Sequence, residues 1–265
     1  HPADRNSAAA RTTLANRSAK FRFSGLSAHA AGAPERGRSA LDGVEAMNFM
    51  VNLMREHVPQ ETRIHYVITA GGQAPNVVPD FAEVFYYLRH PDAGMVQQLW
   101  RRLEAAARGA AAGTGTRVER EIIHGNHPVL VNETLQQAMD GVLRELGGVV
   151  YTDAETAFAK EIRSSFSSPG LDLGSQRRVQ PYSLSLGYGS TDVGDVSYVV
   201  PTIRLRLPGR YGRAAARALS SAAIRLYTEP QLRAAAREEF ERRRGDDFEY
   251  EALLGDRDPP LDYRK

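Results

Sequence analysis

Residues 20–38 read Lys-Phe-Arg-Phe-Ser-Gly-Leu-Ser-Ala-His-Ala-Ala-Gly-Ala-Pro-Glu-Arg-Gly-Arg, and the two halves of this stretch have different textures. Phe21 and Phe23 alternate with Lys20, Arg22 and Ser24, the period of two that marks a half-buried strand. From Gly25 the chain breaks into small residues that present one histidine, His29. A polar ring among Ala and Gly has nothing bulky beside it to hide behind, and loops on a rigid scaffold are where function concentrates. A lone histidine in a structural role sits on an apolar face. His29 sits on a loop and is the first candidate functional residue.

Working outward, Ser39 is placed to cap a helix in which Val44, Met47, Val51 and Met54 recur at helical spacing until Pro59. Met47, Met50 and Met54 are assigned to the core face of that helix, since methionine fills core gaps. Residues 63–69 and 82–88 are rich in β-branched and aromatic side chains and read as strands. The segment between them, 71–80 (Gly-Gly-Gln-Ala-Pro-Asn-Val-Val-Pro-Asp), is too long for a tight hairpin. Pro91-Asp92 opens a second helix, with Val96, Leu99, Leu103 and Ala106 on one face and Gly113-Thr-Gly115 at its end. Residues 117–123 alternate again. The order β-α-β-β-α-β predicts an α+β, ferredoxin-like unit, a four-stranded antiparallel sheet with two helices on one face.

Beyond Pro128 the pattern predicts helices over 132–146 and 154–165, a loop over 167–186, a Gly-rich segment from Leu186, and a short strand over 199–205. Two further helices follow over 214–227 and 230–244, the second with Glu238, Glu239, Arg242 and Arg243 as a solvated charged face. Three regions result: a lead or linker over 1–18, the sheet unit over 19–128, and a second part over 129–265.

The totals bound the rest. At 265 residues a proper core is possible without staples. Cysteine is absent, which excludes disulfides, thiolate metal sites and cysteine nucleophiles and favours a cytoplasmic location. A net charge of +2, from 34 basic and 32 acidic residues, gives no bulk attraction to nucleic acid or an anionic membrane, so an anionic substrate must be held locally. No apolar run approaches the roughly 20 residues of a membrane span. RNA binding on the sheet would need a basic Gly-aromatic strand motif, whose form Tyr86-Tyr87-Leu88-Arg89 lacks.

Three constellations carry chemistry: Ser27-Ala-His29-Ala; Gly71-Gly72-x-Ala74-x-Asn76-Val-Val-Pro79-Asp80 with Arg89 beyond it; and Gly187-x-Gly189-Ser190-Thr191-Asp192, whose N–H groups and hydroxyls suit a carboxylate or peptide backbone. In this order, and with Arg36-Gly-Arg-Ser-Ala-Leu-Asp-Gly-Val-Glu-Ala-Met between the first two, the chain resembles the two-metal aminoacylase and carboxypeptidase G family of metallopeptidases and amidohydrolases, most closely its aminobenzoyl-glutamate hydrolase branch. The resemblance implies that the ferredoxin-like unit is a lid and dimerisation domain and that the remainder is the C-terminal part of a zinc-peptidase-like catalytic domain. It implies a homodimer in which His29 reaches the partner's site and donates to the scissile carbonyl oxygen. Asn76 and Arg89 are implied as substrate contacts, and Gly189, Ser190 and Thr191 as the lining of the substrate site. The substrates implied are N-acyl amino acids or dipeptides.

The same resemblance implies two divalent ions, zinc or manganese, in the complete enzyme. Their ligands belong to a long segment before the lid and to a histidine after the 199–205 strand, yet no histidine follows His127. The expectation is that this chain by itself holds no metal and is inactive, as an incomplete chain or as a truncated relative. His124 and His127, an i, i+3 pair, have no carboxylate clustered with them in sequence. A different reading is a non-catalytic dimerisation or ligand-sensing module.

Overall fold

The computed structural model describes residues 2–3, 5–208, 212–256 and 258. In chain order the strands and helices are β1 (Pro2–Ala3), β2 (Ala10–Thr12), β3 (Ala15–Ser24), α1 (Ala40–Met54), β4 (Arg63–Ala70), β5 (Phe81–His90), α2 (Ala93–Thr114), β6 (Arg117–Asn126), α3 (Glu133–Leu146) and α4 (Asp153–Ser164). They continue as β7 (Leu184–Leu186), α5 (Val193–Val199), β8 (Leu207–Pro208), α6 (Gly212–Thr228) and α7 (Pro230–Arg244). Among the described residues no helix is long and apolar enough to cross a membrane. The chain divides into two compact units.

One unit comprises Thr13–Pro128 with Tyr188–Asp195 and the described residues from Tyr250 on. Its sheet has the order β4-β5-β3-β6 with every pair antiparallel, the topology that the sequence pattern predicts. Alternation decides its two faces. Phe21 and Phe23 from β3 and Ala82, Val84, Tyr86 and Leu88 from β5 are buried against Val44, Met47 and Val51 of α1 and Val96, Leu99, Trp100 and Leu103 of α2. Phe21 meets Tyr86 edge-on at 5.9 Å and lies 6.2 Å from Trp100. The caps are local: Ser39 Oγ accepts from Asp42 N at 3.1 Å, Asp92 Oδ1 accepts from Met95 N at 2.7 Å, and Gly115 ends α2 at φ 66°, where a side chain would be strained. On the opposite face Glu83 gathers Lys20, Arg22 and Thr69, and Arg22 continues to Glu121.

Three expectations for this unit shift. β3 starts at Ala15, so part of the supposed lead is strand. Ala107, not Ala106, is the fully buried alanine of its turn. Met50 is 41% exposed and shares the outer face of α1 with Phe49 and Leu53, while Met47 and Met54 are core as expected.

The other unit comprises the described residues up to Thr12 with Val129–Gly187 and Val196–Glu249. Helices α3, α6 and α7 pack on one another, and Met139, Val142 and Leu143 share a core with Ala8, Leu205, Leu207, Ala218 and Ala222. β2 pairs with β7 in parallel, and so do β1 and β8. The expected strand over 199–205 does not form: Val199 ends α5, residues 200–205 are in no helix or strand, and pairing begins only with the Ser7–Arg206 bridge and β8. Glu239 is also not solvated. It is 5% exposed and accepts from the backbone N–H groups of Glu133 and Thr134 at the start of α3.

Candidate functional site

The loops after β3 and before β5 are zipped together by backbone pairs. Leu26 and Arg38 exchange bonds of 2.8 and 2.9 Å, Gly25 N donates to Asp80 O at 2.8 Å, Val78 N to Ala28 O at 3.0 Å, and Ala30 N to Asn76 O at 3.0 Å. Gly25 is obligatory, because a Cβ there would lie 1.9 Å from Arg38 O. His29 and Val77 form an isolated bridge, which sets His29 beside Asn76, both exposed. The His29 ring is oriented by its own loop: Nδ1 accepts from Gly32 N at 3.0 Å and Ala31 N at 3.2 Å. A nitrogen that accepts two N–H groups carries no proton, so the neutral ring bears its proton on Nε2, and a donor faces outward.

Arg89 lies at the other end of the sheet. It pairs across β5 with Arg63 of β4 and with Asn16 of β3, stacks 5.3 Å over the Tyr87 ring, and keeps its buried Nε without a hydrogen-bond partner. The environment is cationic. His65 is held below the usual histidine range by burial, then by Arg89, Arg55 and Arg63. The Gly189–Thr191 loop joins this end, because Gly189 O accepts from Leu14 N at 2.8 Å and Arg63 lies 5.8 Å over the Tyr188 ring. Ser190 Oγ is buried without a hydrogen-bond partner, and Thr191 Oγ1 donates to Asp192 Oδ1 at 3.2 Å. From Phe81 to Arg89 the strand advances about 26 Å at roughly 3.3 Å per residue. The predicted residues thus form two groups at opposite ends of one sheet, His29 with Asn76, and Arg89 with Gly189, Ser190 and Thr191.

Sequence reading missed Asp195. Its carboxylate accepts from Asn126 Nδ2 at 3.3 Å, His127 N at 3.3 Å and Tyr250 OH at 3.1 Å, which ties the 188–195 segment to the end of β6. The close approach requires Gly194, where a Cβ would lie 1.9 Å from His127 O. The Gly-Asp pair was visible, but nothing local announced its partners.

The described residues do not fit two divalent ions. Among them no group of three or more His, Asp or Glu side chains is arranged so that it could hold a metal ion. The histidine pair is occupied otherwise: His124 Nδ1 is 3.0 Å from Tyr87 OH and 3.3 Å from Ser18 Oγ, and His127 Nε2 is 2.9 Å from Glu251 O.

The chain is mixed α/β, with a βαββαβ sheet unit that has β4 at its edge, exposed apolar side chains on α1 and β4, and loops offering exposed polar groups. Residues 15–114 match the family model described as the peptidase dimerisation domain, and the chain carries such a domain of the M20 type. The chain is 37% identical over 222 residues to a p-aminobenzoyl-glutamate hydrolase subunit of Escherichia coli (strain K12), covering 74% of this chain and 46% of that protein. It is 29% identical over 204 residues to Xaa-Arg dipeptidase of Mus musculus, covering 77% of this chain and 41% of the relative. The chain therefore spans about half the length of the curated relatives it matches. The crystal structure of the aminobenzoyl-glutamate utilization protein from Klebsiella pneumoniae shares the fold with a TM-score of 0.54 at 19% identity, over 83% of this chain and 51% of that chain.

Proposed function

We propose that this chain supplies the ferredoxin-like lid and the C-terminal part of the zinc-peptidase-like catalytic domain of an amide-bond hydrolase, acting on N-acyl or aroyl amino acids or short peptides. It works as a homodimer whose sites each draw on both protomers. The observation that carries this reading is the two-ended placement of the candidate residues. A substrate of this size cannot reach across about 26 Å of strand, so one lid cannot bring His29 and Arg89 to the same molecule. A two-fold axis can, by setting the His29–Asn76 end of one protomer against the Arg89 end of its partner.

In such a site His29 Nε2–H donates to the scissile carbonyl oxygen and stabilises the oxyanion, an interaction worth about 2.7–4 kcal/mol. Asn76 adds an amide contact beside it. The Arg89 guanidinium pairs with the substrate carboxylate, for which its planar fork is suited. The Gly189 N–H and the Ser190 and Thr191 hydroxyls line the same end as Arg89 and hold the substrate backbone. Interface material is present on the lid: Tyr66, Val67 and Ile68 on the edge strand β4 are exposed apolar side chains, and so are Phe49, Met50 and Leu53 on the outer face of α1, where Met50 and Leu53 border Arg102, Ala105 and Ala106 of α2.

The test is complementation, in a polypeptide that also carries the metal ligands, with aminobenzoyl-glutamate and N-acetyl amino acids as substrates. His29→Ala and Arg89→Ala each lower turnover, His29→Ala by on the order of a hundredfold or more. Mixed and re-equilibrated, the two variants should recover about a quarter of wild-type activity, since half the dimers are hybrids with one intact site. No recovery on mixing would sink the shared site. The apolar face equally favours a second reading, a non-catalytic dimerisation or ligand-sensing module. Dimers that turn over neither substrate class in any form would support it.

A further inference from the structure

The helical unit holds a cavity that the lid reading leaves unused. Residues 5–11 form an extended stretch between two others, pairing in parallel with 179–186 through Asn6–Val179 and β2–β7, and antiparallel with Arg206 through Ser7. Alternation gives this small layer two unlike faces. Asn6, Ala8 and Ala10 are buried, and Leu205 and Leu207 pack with Ala8 against α3 and α6. The other face carries Arg5, Ser7 and Arg11, with Arg204 and Arg206 from the neighbouring stretch and Ser185 from β7, around a cavity of ≈ 320 Å³. Among the described residues no Asp or Glu lines it.

Arg11, Arg204 and Arg206 face one space that no described carboxylate lines, an unbalanced charge. Arg204 feels it most: burial, then Arg206 and Arg11, hold its guanidinium below the usual arginine value, and its Nη1 is buried without a hydrogen-bond partner. The main chain that carries it is held in place. Gln136, 3% exposed, accepts from Arg204 N at 2.9 Å through Oε1 and donates through Nε2 to Ala8 O at 2.7 Å. Arg11 Nε is steadied at 3.4 Å by Ser185 Oγ.

We infer that this cavity is a binding site for a small oxyanion of at least two negative charges, a phosphoryl group or a dicarboxylate, held by Arg204, Arg206 and Arg11 with hydroxyl support from Ser185. Guanidinium forks match planar pairs of oxygens, and the Ser7–Ala9 floor is small enough to leave room for the ligand. The site lies in the unit without the lid and does not depend on the lid reading.

The test is isothermal titration calorimetry of the 265-residue chain with inorganic phosphate and, separately, with succinate, at fixed ionic strength in chloride. One-to-one saturable binding of at least one of the two is expected, weakened tenfold or more by Arg204→Gln and by Arg11→Ala. Arg11 is exposed, so its variant reports on binding even if the Arg204 variant folds poorly. Tighter phosphate identifies a phosphoryl ligand and tighter succinate a dicarboxylate. Saturation by neither anion, or wild-type affinity in Arg11→Ala, would overturn the assignment.

Discussion

Replacing Glu239 by glutamine removes one charge and almost no volume, which makes it a clean probe of how the helical unit is held. The Glu239 carboxylate accepts from Glu133 N at 2.9 Å and Thr134 N at 2.8 Å, two N–H groups that α3 cannot satisfy within itself, and it pairs with Arg243 Nε at 2.8 Å. Glutamine keeps one acceptor oxygen and turns an NH₂ toward the other N–H. A hydrogen bond to a charged acceptor is worth about 1.5–3 kcal/mol, and a carboxylate at a helix N-terminus adds about 0.3–1 kcal/mol. The expected loss is therefore about 2–4 kcal/mol at neutral pH. At about 2–4 °C per kcal/mol for a chain of this size, the melting temperature should fall by at least about 4 °C. The pH dependence has a definite sign. Burial by itself would raise the Glu239 carboxyl, but the bonds from Thr134 and Glu133 and the Arg243 charge outweigh it and hold it below the usual value. A depressed value gives stability that is complete above about pH 4.3, the ordinary glutamate value, and is lost as pH falls through the folded-state value. The gap between wild type and Glu239→Gln should thus narrow as pH drops below about 4. Thermal unfolding followed by circular dichroism at both pH values measures this. Equal melting temperatures at neutral pH, or a gap that stays constant into acid, would refute the reasoning.

Gly25→Ala drives a methyl into Arg38 O and should cost about 1–3 kcal/mol, with faster amide exchange over 26–38 while β5 stays protected. Leu53→Asp combined with Val67→Lys places charge on the exposed apolar parts of both α1 and β4. Light scattering should show a dimer for the wild-type chain and a monomer for this variant, and a wild-type monomer at high micromolar concentration would count against the pairing surface. Asp195→Ala removes three hydrogen bonds from the 188–195 segment, so exchange there should accelerate without change in the β3–β5 ladder.

Much of the architecture is local in origin, and for that reason the sequence disclosed it. The Phe21–Phe23 alternation, the Ser39 and Asp92 caps, the Gly115 stop and the apolar stripe of α2 act within a few residues, and together they determined a β-α-β-β-α-β order before any contact was known. His29 was legible too, as a ring stranded in a small-residue loop. What sequence could not give was anything set by distant pairing. Met50 has the helical spacing of a core residue but faces outward, because the core side of α1 is defined by where the sheet lies. Glu239 belongs to a charged repeat, and only the approach of α7 to the start of α3 turns it into a buried cap. Residues 10–12 read as a small polar lead, yet they pair with 184–186 far along the chain. The same reason separates the candidate site into two ends. Motifs place His29, Asn76 and Arg89 within one unit, but the length of β5 and the bond from Leu14 N to Gly189 O decide which of them can ever face one molecule, and strand length and non-local hydrogen bonds exist only in the folded chain.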